Sequence, residues 1–196
     1  MNKVLRLGNV WLVCLLVCVL CMGCALAEGA SAAEATITGL VLVGDLPKDA
    51  EMAEDYSDAE GNYRQVLIRS DGAITIVTLR QKVDDKYPME MPIEEFLQKY
   101  LELEQMPHME TVEVEPVAAY PTERVRFQVG ENEDASIEDV VLIRTDEYYF
   151  AFIAHTSADT YYGFSDGYEE GDAAQIIDIW AESLDLFDPG EAMGGE

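Results

Sequence analysis

The chain has 196 residues, of which 39 are acidic and 12 are basic, so its formal net charge is −27. Nucleic-acid binding is excluded, because phosphate contacts need clusters of Lys and Arg. An anionic membrane surface would repel the acidic bulk of the chain. Apolar residues make up 49% of the sequence, which is too many for a disordered acidic tail, so we expect one folded domain with a buried core.

The N-terminal segment has the layout of an export signal. Lys3 and Arg6 precede an uncharged stretch over 7–27, and the acidic residues begin only after it. We predict a signal peptide over 1–27. Two other endings stay open, namely lipid attachment at Cys24, as in a bacterial lipobox, and an uncleaved membrane anchor. In all three cases the positive-inside bias places the domain outside the cytoplasm, and any contact with a membrane is through this segment alone.

All four cysteines lie within the predicted signal peptide, so the mature domain has neither a disulfide nor a thiol and depends on packing for its stability. Residues 28–35 carry no large apolar side chain and are predicted to be a flexible leader. We assign 36–188 to a single domain and 189–196 to a disordered tail.

The residue patterns before the first predicted helix indicate several strands. A β-branched run over 37–43 predicts a strand, and the acidic, alanine-rich stretch 46–62 predicts a loop. Two β-rich runs, 63–70 and 73–81, flank an Asp-Gly dipeptide typical of a type I′ hairpin. Both runs are apolar on more than one face, which indicates central strands covered on both sides. Residues 93–104 show helical spacing of apolar side chains.

Antiparallel strands and a closing helix follow. Residues 111–117 and 124–129 alternate between apolar and charged side chains, so in a meander the two glutamates of the first strand would lie near the two arginines of the second. A further hairpin is predicted over 139–145 and 148–156. The apolar stripe over 173–187 predicts a helix, with Asp172 as its N-cap.

This order predicts an α+β fold, a mostly antiparallel sheet with two amphipathic helices in a layered sandwich. The strand 73–81, the helix 93–104, the strand beginning at 148 and the closing helix with Trp180 resemble the PsbP-like α/β/α sandwich proteins. The resemblance is one of element order and spacing, and it covers most of 37–187. It implies an accessory or interaction protein, and it transfers no functional residue to this chain.

The sequence offers little catalytic chemistry, and we predict no catalytic residue, metal or cofactor. His155, Ser157 and Asp159 share one face of a strand, but neighbours there lie roughly 6.6 Å apart, whereas a Ser-His pair needs about 3 Å. No histidine pair has the spacing of zinc ligands, and no phosphate or dinucleotide fingerprint occurs.

Calcium is the metal hardest to exclude. Residues 165–172 hold four carboxylates and two glycines, but they lack the ligand spacing of an EF-hand. We favour a solvated turn that delivers Asp172 to cap the last helix, and a weak calcium-binding module stays an alternative.

Four aromatic side chains precede the last helix and are the predicted binding residues: Tyr161, Tyr162, Phe164 and Tyr168. Large rings in a loop can form a recognition surface. The competing interpretation, which we favour, is a lid folded over the core, because Phe is rarely left in water.

Six arginines fall on predicted strands, where they either pair with glutamates across the sheet or line an anion site; the first is favoured. They are Arg64, Arg69, Arg80, Arg124, Arg126 and Arg144.

Together these features predict an exported, non-catalytic binding or accessory protein whose partner is an unknown protein or small ligand. The alternatives are a carboxylate-dependent hydrolase acting outside the cytoplasm and the calcium-binding module.

Overall fold

A computed structural model describes residues 39–45, 47 and 49–188, which belong to one compact unit. The predicted signal peptide, leader and tail lie outside the described residues. Within the described part, no helix has both the length and the apolar character needed to cross a membrane.

The described strands form two antiparallel sheets. Seven strands make the main sheet in the order β2-β3-β4-β8-β7-β6-β5, and β1 pairs with β9 in a small separate ribbon. The strands are β1 Val41–Val43, β2 Ala50–Ser57, β3 Tyr63–Arg69, β4 Ile74–Lys82, β5 Met109–Val112, β6 Thr122–Val129, β7 Ser136–Arg144, β8 Tyr148–Ser157 and β9 Asp185–Phe187.

Helices cover the main sheet on both faces. They are α1 Ile93–Tyr100, the single turn α2 Ala158–Tyr161 and α3 Asp172–Glu182, with short 3₁₀ helices at Val117–Ala119 and Asn132–Asp134. The mostly antiparallel sheet with packed helices confirms the predicted α+β class.

The central strand β8 shows why both faces are buried. Its residues alternate in direction, so Phe150 and Phe152 pack in one core with Trp180 of α3. Tyr149 faces the other way and packs in a second core with Phe96 of α1. Two separate apolar layers therefore flank the sheet. The two-faced burial predicted for 63–70 and 73–81 is found in β4, whereas β3, next to the edge strand, is mostly half-buried.

The prediction of a loop over 46–62 is wrong, because Ala50–Ser57 forms β2. This strand is mostly exposed and pairs only with β3, at one edge of the sheet. Alanine and acidic residues have low strand propensity, so local sequence gave no strand signal here. The hydrogen bonds offered by β3 impose the extended conformation, and the acidic side chains suit a free edge.

The closing helix is shorter than predicted and begins differently. It ends at Glu182, and the following residues form β9, which buries Leu186 beside Leu42 of β1. Its N-cap is Gly171, in the left-handed region at φ 91°, and not Asp172. The Asp172 carboxylate instead accepts a hydrogen bond from the backbone N–H of Glu169 at 2.8 Å.

The predicted ion pairs of β6 with Glu113 and Glu115 are also wrong. Strand β5 ends at Val112, opposite Arg124, so both glutamates lie beyond the paired segment. The side chain of Arg124 turns instead toward Asp139 of β7.

Asp139 is the centre of a charged cluster beneath α3. Its carboxylate is 0% exposed and binds Arg124 through two hydrogen bonds of 2.8 and 2.9 Å. Arg126 donates to the same carboxylate at 2.6 Å, and Asp178 of α3 accepts from both guanidinium groups at 2.5 and 3.1 Å. Burial lowers the pKa of Arg124, but the two carboxylates outweigh it and raise the pKa overall. Two cations and two anions thus tie β6, β7 and α3 together without net charge.

We expect Asp139→Asn to destabilise the fold by about 3 to 5 kcal/mol, because it leaves Arg124, only 4% exposed, without its buried counter-charge. Asp178→Asn is the matched control. Its carboxylate contacts the same arginines but is about half exposed, so its loss should cost at most about 1 kcal/mol. Urea denaturation measures both free energies of unfolding, and equal costs would contradict a central role for Asp139.

Candidate binding surface

The four predicted aromatic residues lie between β8 and α3, in residues 157–171, which we call the aromatic loop. The loop opens with an N-cap, since the Ser157 hydroxyl accepts a hydrogen bond from the Thr160 N–H at 3.1 Å. Thr160 is buried, and its hydroxyl donates to the Ser165 hydroxyl at 3.1 Å. This hydroxyl chain holds the start of the loop against its middle.

Gly163 brings the two arms of the loop, residues 157–163 and 164–171, into contact. A Cβ atom at this position would lie 2.2 Å from the backbone nitrogen of Glu170, so only glycine fits, and its φ of +75° also favours glycine. The next residue, Phe164, donates its N–H to the carbonyl of Asp159 at 2.7 Å. The backbone at Phe164 is therefore held twice, by the contact of Gly163 with Glu170 and by the hydrogen bond to Asp159.

Tyr161 turns inward, onto the charged cluster beneath α3. The guanidinium carbon of Arg126 lies 5.5 Å from the Tyr161 ring centroid, a cation–π contact. Burial raises the pKa of the Tyr161 hydroxyl, although the charge of Arg126 opposes the shift. Tyr162 packs edge-on against Tyr161, with ring centroids 5.2 Å apart.

Tyr168 is fixed by two partners on the β3–β4 hairpin. Its hydroxyl accepts a hydrogen bond from Arg69 at 2.7 Å and donates one to Asp71 at 2.8 Å. Burial and the hydrogen bond to Asp71 raise the pKa of Tyr168 to about 12. The far arm of the aromatic loop is thereby held to the sheet.

Phe164 and Tyr162 face outward. Phe164 is 79% exposed and Tyr162 is 44% exposed, so the predicted lid is wrong for these two residues. The lid interpretation holds only for Tyr161 and Tyr168, which are partly buried. The structure therefore divides the aromatic set into two rings that fix the loop and two that it presents to solvent.

Exposed carboxylates lie on both arms of the loop that carries the presented rings. Asp159, Asp166, Glu169 and Glu170 are all exposed, and the closure at Gly163 brings the second arm beside Phe164. Among the described residues, no group of three or more His, Cys, Asp or Glu side chains is placed to hold a metal ion.

His155 and Ser157 have separate partners. The Nδ1 atom of His155 lies 2.6 Å from a carboxylate oxygen of Glu138, which also accepts a hydrogen bond from Ser136 at 3.2 Å. The Ser157 hydroxyl is occupied as the N-cap of α2. The two side chains are not bonded to each other in this arrangement.

The arginines on the strands have several kinds of partner. Arg64 binds Glu54 at 2.6 Å, and Arg144 pairs with Glu123, as the predicted cross-strand pairing requires. Other strand arginines bind aspartates, which the sequence did not indicate.

Arg80, one of the six strand arginines, is a buried cation, and the sequence did not predict its burial. It donates to the carbonyl oxygens of Leu40, at 2.7 Å, and Gly61, at 2.5 Å. Its guanidinium carbon also lies 4.7 Å from the ring centroid of Tyr148 and 5.4 Å from that of Tyr63. A charged residue inside an apolar strand run is the signal that could have identified it, and the same signal marks Asp139.

No family model matches the chain, and no curated protein matches it. Among solved structures, the chain is similar to LpqN, whose crystal structure is described as that of a protein involved in cell envelope biogenesis of Mycobacterium tuberculosis. The TM-score is 0.46 at 9% identity, over 80% of this chain and 88% of that chain. A likeness of this degree carries no conclusion about this protein, and the PsbP-like resemblance is not confirmed.

We expect Gly163→Ala to destabilise the protein more than Gly167→Ala, by about 1 to 3 kcal/mol. Both glycines have a positive φ, so both substitutions share the backbone strain. Only the Cβ at Gly163 meets the opposite arm, because nothing lies within 4 Å of a Cβ at Gly167. Thermal and urea denaturation of both variants would measure the difference, and equal costs would show that the two arms are not in close contact.

We expect the contribution of His155 to stability to fall as the pH rises. The hydrogen bond to Glu138 raises the pKa of His155 above its ordinary 6.5, against the effect of burial. The stabilisation is therefore complete below about pH 6.5 and is lost as the pH passes through the raised pKa. Since the side chain is 39% exposed, we expect a modest effect.

The measurement is the difference in unfolding free energy between the wild type and His155→Gln, followed from about pH 6 to pH 9. Glu138→Gln is the control, because it removes the partner that raises the pKa and should flatten the pH dependence. A difference that grows with pH would contradict the assignment.

Proposed function

We propose that this protein is an exported, non-catalytic binding protein that contacts its partner through Phe164 and Tyr162 of the aromatic loop. The observation that carries the proposal is the 79% exposure of Phe164 on a backbone fixed from both sides. An exposed phenylalanine on a fixed loop loses little conformational entropy when it enters a partner's pocket, which favours binding.

Aromatic side chains are the residues that most often dominate the binding energy of protein interfaces. Phe164 contributes little to the core, since most of its surface is in solvent. Its position is therefore better explained by contact with another molecule than by the stability of the fold.

The proposal includes the absence of a catalytic role. This part is supported by the hydrogen-bond partners of the buried carboxylates. The buried carboxylates of Glu138 and Asp139 are bound to His155 and to arginines, respectively. A carboxylate used in hydrolysis has to face substrate in a cleft, and these two are already bound to side chains of the fold.

Action outside the cytoplasm is supported by the basic start and the long uncharged run of residues 1–27. Lipid attachment at Cys24 or a retained anchor would hold the same domain at the membrane.

The test uses the full chain, exported in its native cells, with photoreactive p-benzoylphenylalanine in place of Phe164 or, as a control, of Tyr56. Tyr56 is an aromatic residue, 49% exposed, on the edge strand β2. We expect a discrete cross-linked partner from position 164 that is absent from position 56.

The partner, once identified by mass spectrometry and purified, should bind the wild type and lose about tenfold or more in affinity with Phe164→Ala. The melting temperature of Phe164→Ala should match the wild type, because the side chain is exposed. Equal cross-linking from both positions, or turnover by the purified protein that one carboxylate substitution abolishes, would refute the proposal.

A further inference from the structure

The surface around Phe164 has a charge pattern that specifies its partner more closely. Residues 157–172 contain five carboxylates and no lysine or arginine. Four of the carboxylates are exposed, on both arms of the aromatic loop: Asp159, Asp166, Glu169 and Glu170. Because Gly163 holds the arms in contact, the backbone of Glu169 and Glu170 lies directly beside the residue that precedes Phe164.

The two arginines nearest the loop do not neutralise this surface. Arg126 is bound to Asp139 and Asp178 below Tyr161. Arg69 is engaged by Tyr168 and lies 3.6 Å from the carboxylates of Asp49 and Asp71. Both cations are paired with aspartates that lie outside the loop, so the carboxylates of the loop keep their negative potential.

An exposed ring beside carboxylates favours a cation in two ways. The face of Phe164 or Tyr162 attracts a lysine or arginine through its quadrupole, and the carboxylates add ion pairs. An acidic partner, or a second copy of this chain with its charge of −27, would be repelled at the same place.

We propose that the aromatic loop binds a lysine- or arginine-rich segment of another exported protein. This inference rests on the proposed function and specifies the chemistry of the partner. The cationic side chains lie over Phe164 and Tyr162 and pair with the surrounding carboxylates. Association is therefore faster and tighter at low salt than at about 0.15 M salt, where the charges are screened.

The experiment titrates the full chain, labelled with ¹⁵N, with a short synthetic peptide of alternating lysine and glycine. The control peptide carries glutamate in place of lysine. We expect the largest amide shifts in residues 158–171 with the lysine peptide and none with the glutamate peptide.

Variants separate site binding from the general attraction of a cation to an acidic protein. We expect Phe164→Ala to weaken binding about two- to fivefold, as the loss of an exposed cation–π contact predicts. The joint change Glu169→Gln and Glu170→Gln should weaken it further and reduce the salt dependence. Tyr56→Ala is the control, because Tyr56 is also exposed beside two carboxylates, Glu54 and Asp55, and it should leave binding unchanged.

Three outcomes would overturn the inference: no binding of the lysine peptide, equal losses with Phe164→Ala and Tyr56→Ala, or binding at Phe164 of phosphatidylcholine vesicles in place of the peptide. In each case a partner cross-linked from position 164 would leave the proposed function standing. Failure of that cross-linking experiment would instead remove the proposed function itself.

Discussion

The ion pairs around the buried Asp139 carboxylate are the interaction that joins the sheet to α3 and to the aromatic loop. A sheet with apolar cores on both faces has little room for charge, yet Asp139 and two arginines lie beneath α3. They are tolerated because each charge is matched within hydrogen-bond distance, which offsets the cost of removing it from water. The same cluster supports Tyr161 through Arg126, so the core of the fold also fixes the start of the aromatic loop.

The aromatic loop has two rings that contact the fold and two that are exposed to solvent. Its inner rings are held by arginines, Tyr161 by Arg126 and Tyr168 by Arg69, whereas Gly163 closes the backbone between them. With these points fixed, the Phe164 side chain lies in solvent. The exposed apolar ring on this backbone is the feature on which the proposed binding function rests.

Much of the fold could be predicted because its central elements carry local signals. The hairpin of β3 and β4, the helix α1 and the hairpin of β7 and β8 follow from apolar periodicity and turn residues. Strand β2 could not be predicted, since its exposed alanines and acids form a strand only through pairing with β3. Strand β9 continues the apolar stripe of the closing helix, so the sequence predicts helix there. These residues form a strand because they pair with β1.

For the candidate site, the sequence by itself determined which residues gather before the last helix, the excess of carboxylates around them and the apolar pattern that builds the sheet. Only the tertiary structure decided which aromatic side chains are buried and which arginines bind Asp139. The physical reason is that periodicity reports the face on which a side chain lies, whereas its partners are set by strand register and by close approach between distant segments. The contact of Gly163 with Glu170 and the pairing of Arg126 with Asp139 are of this second kind.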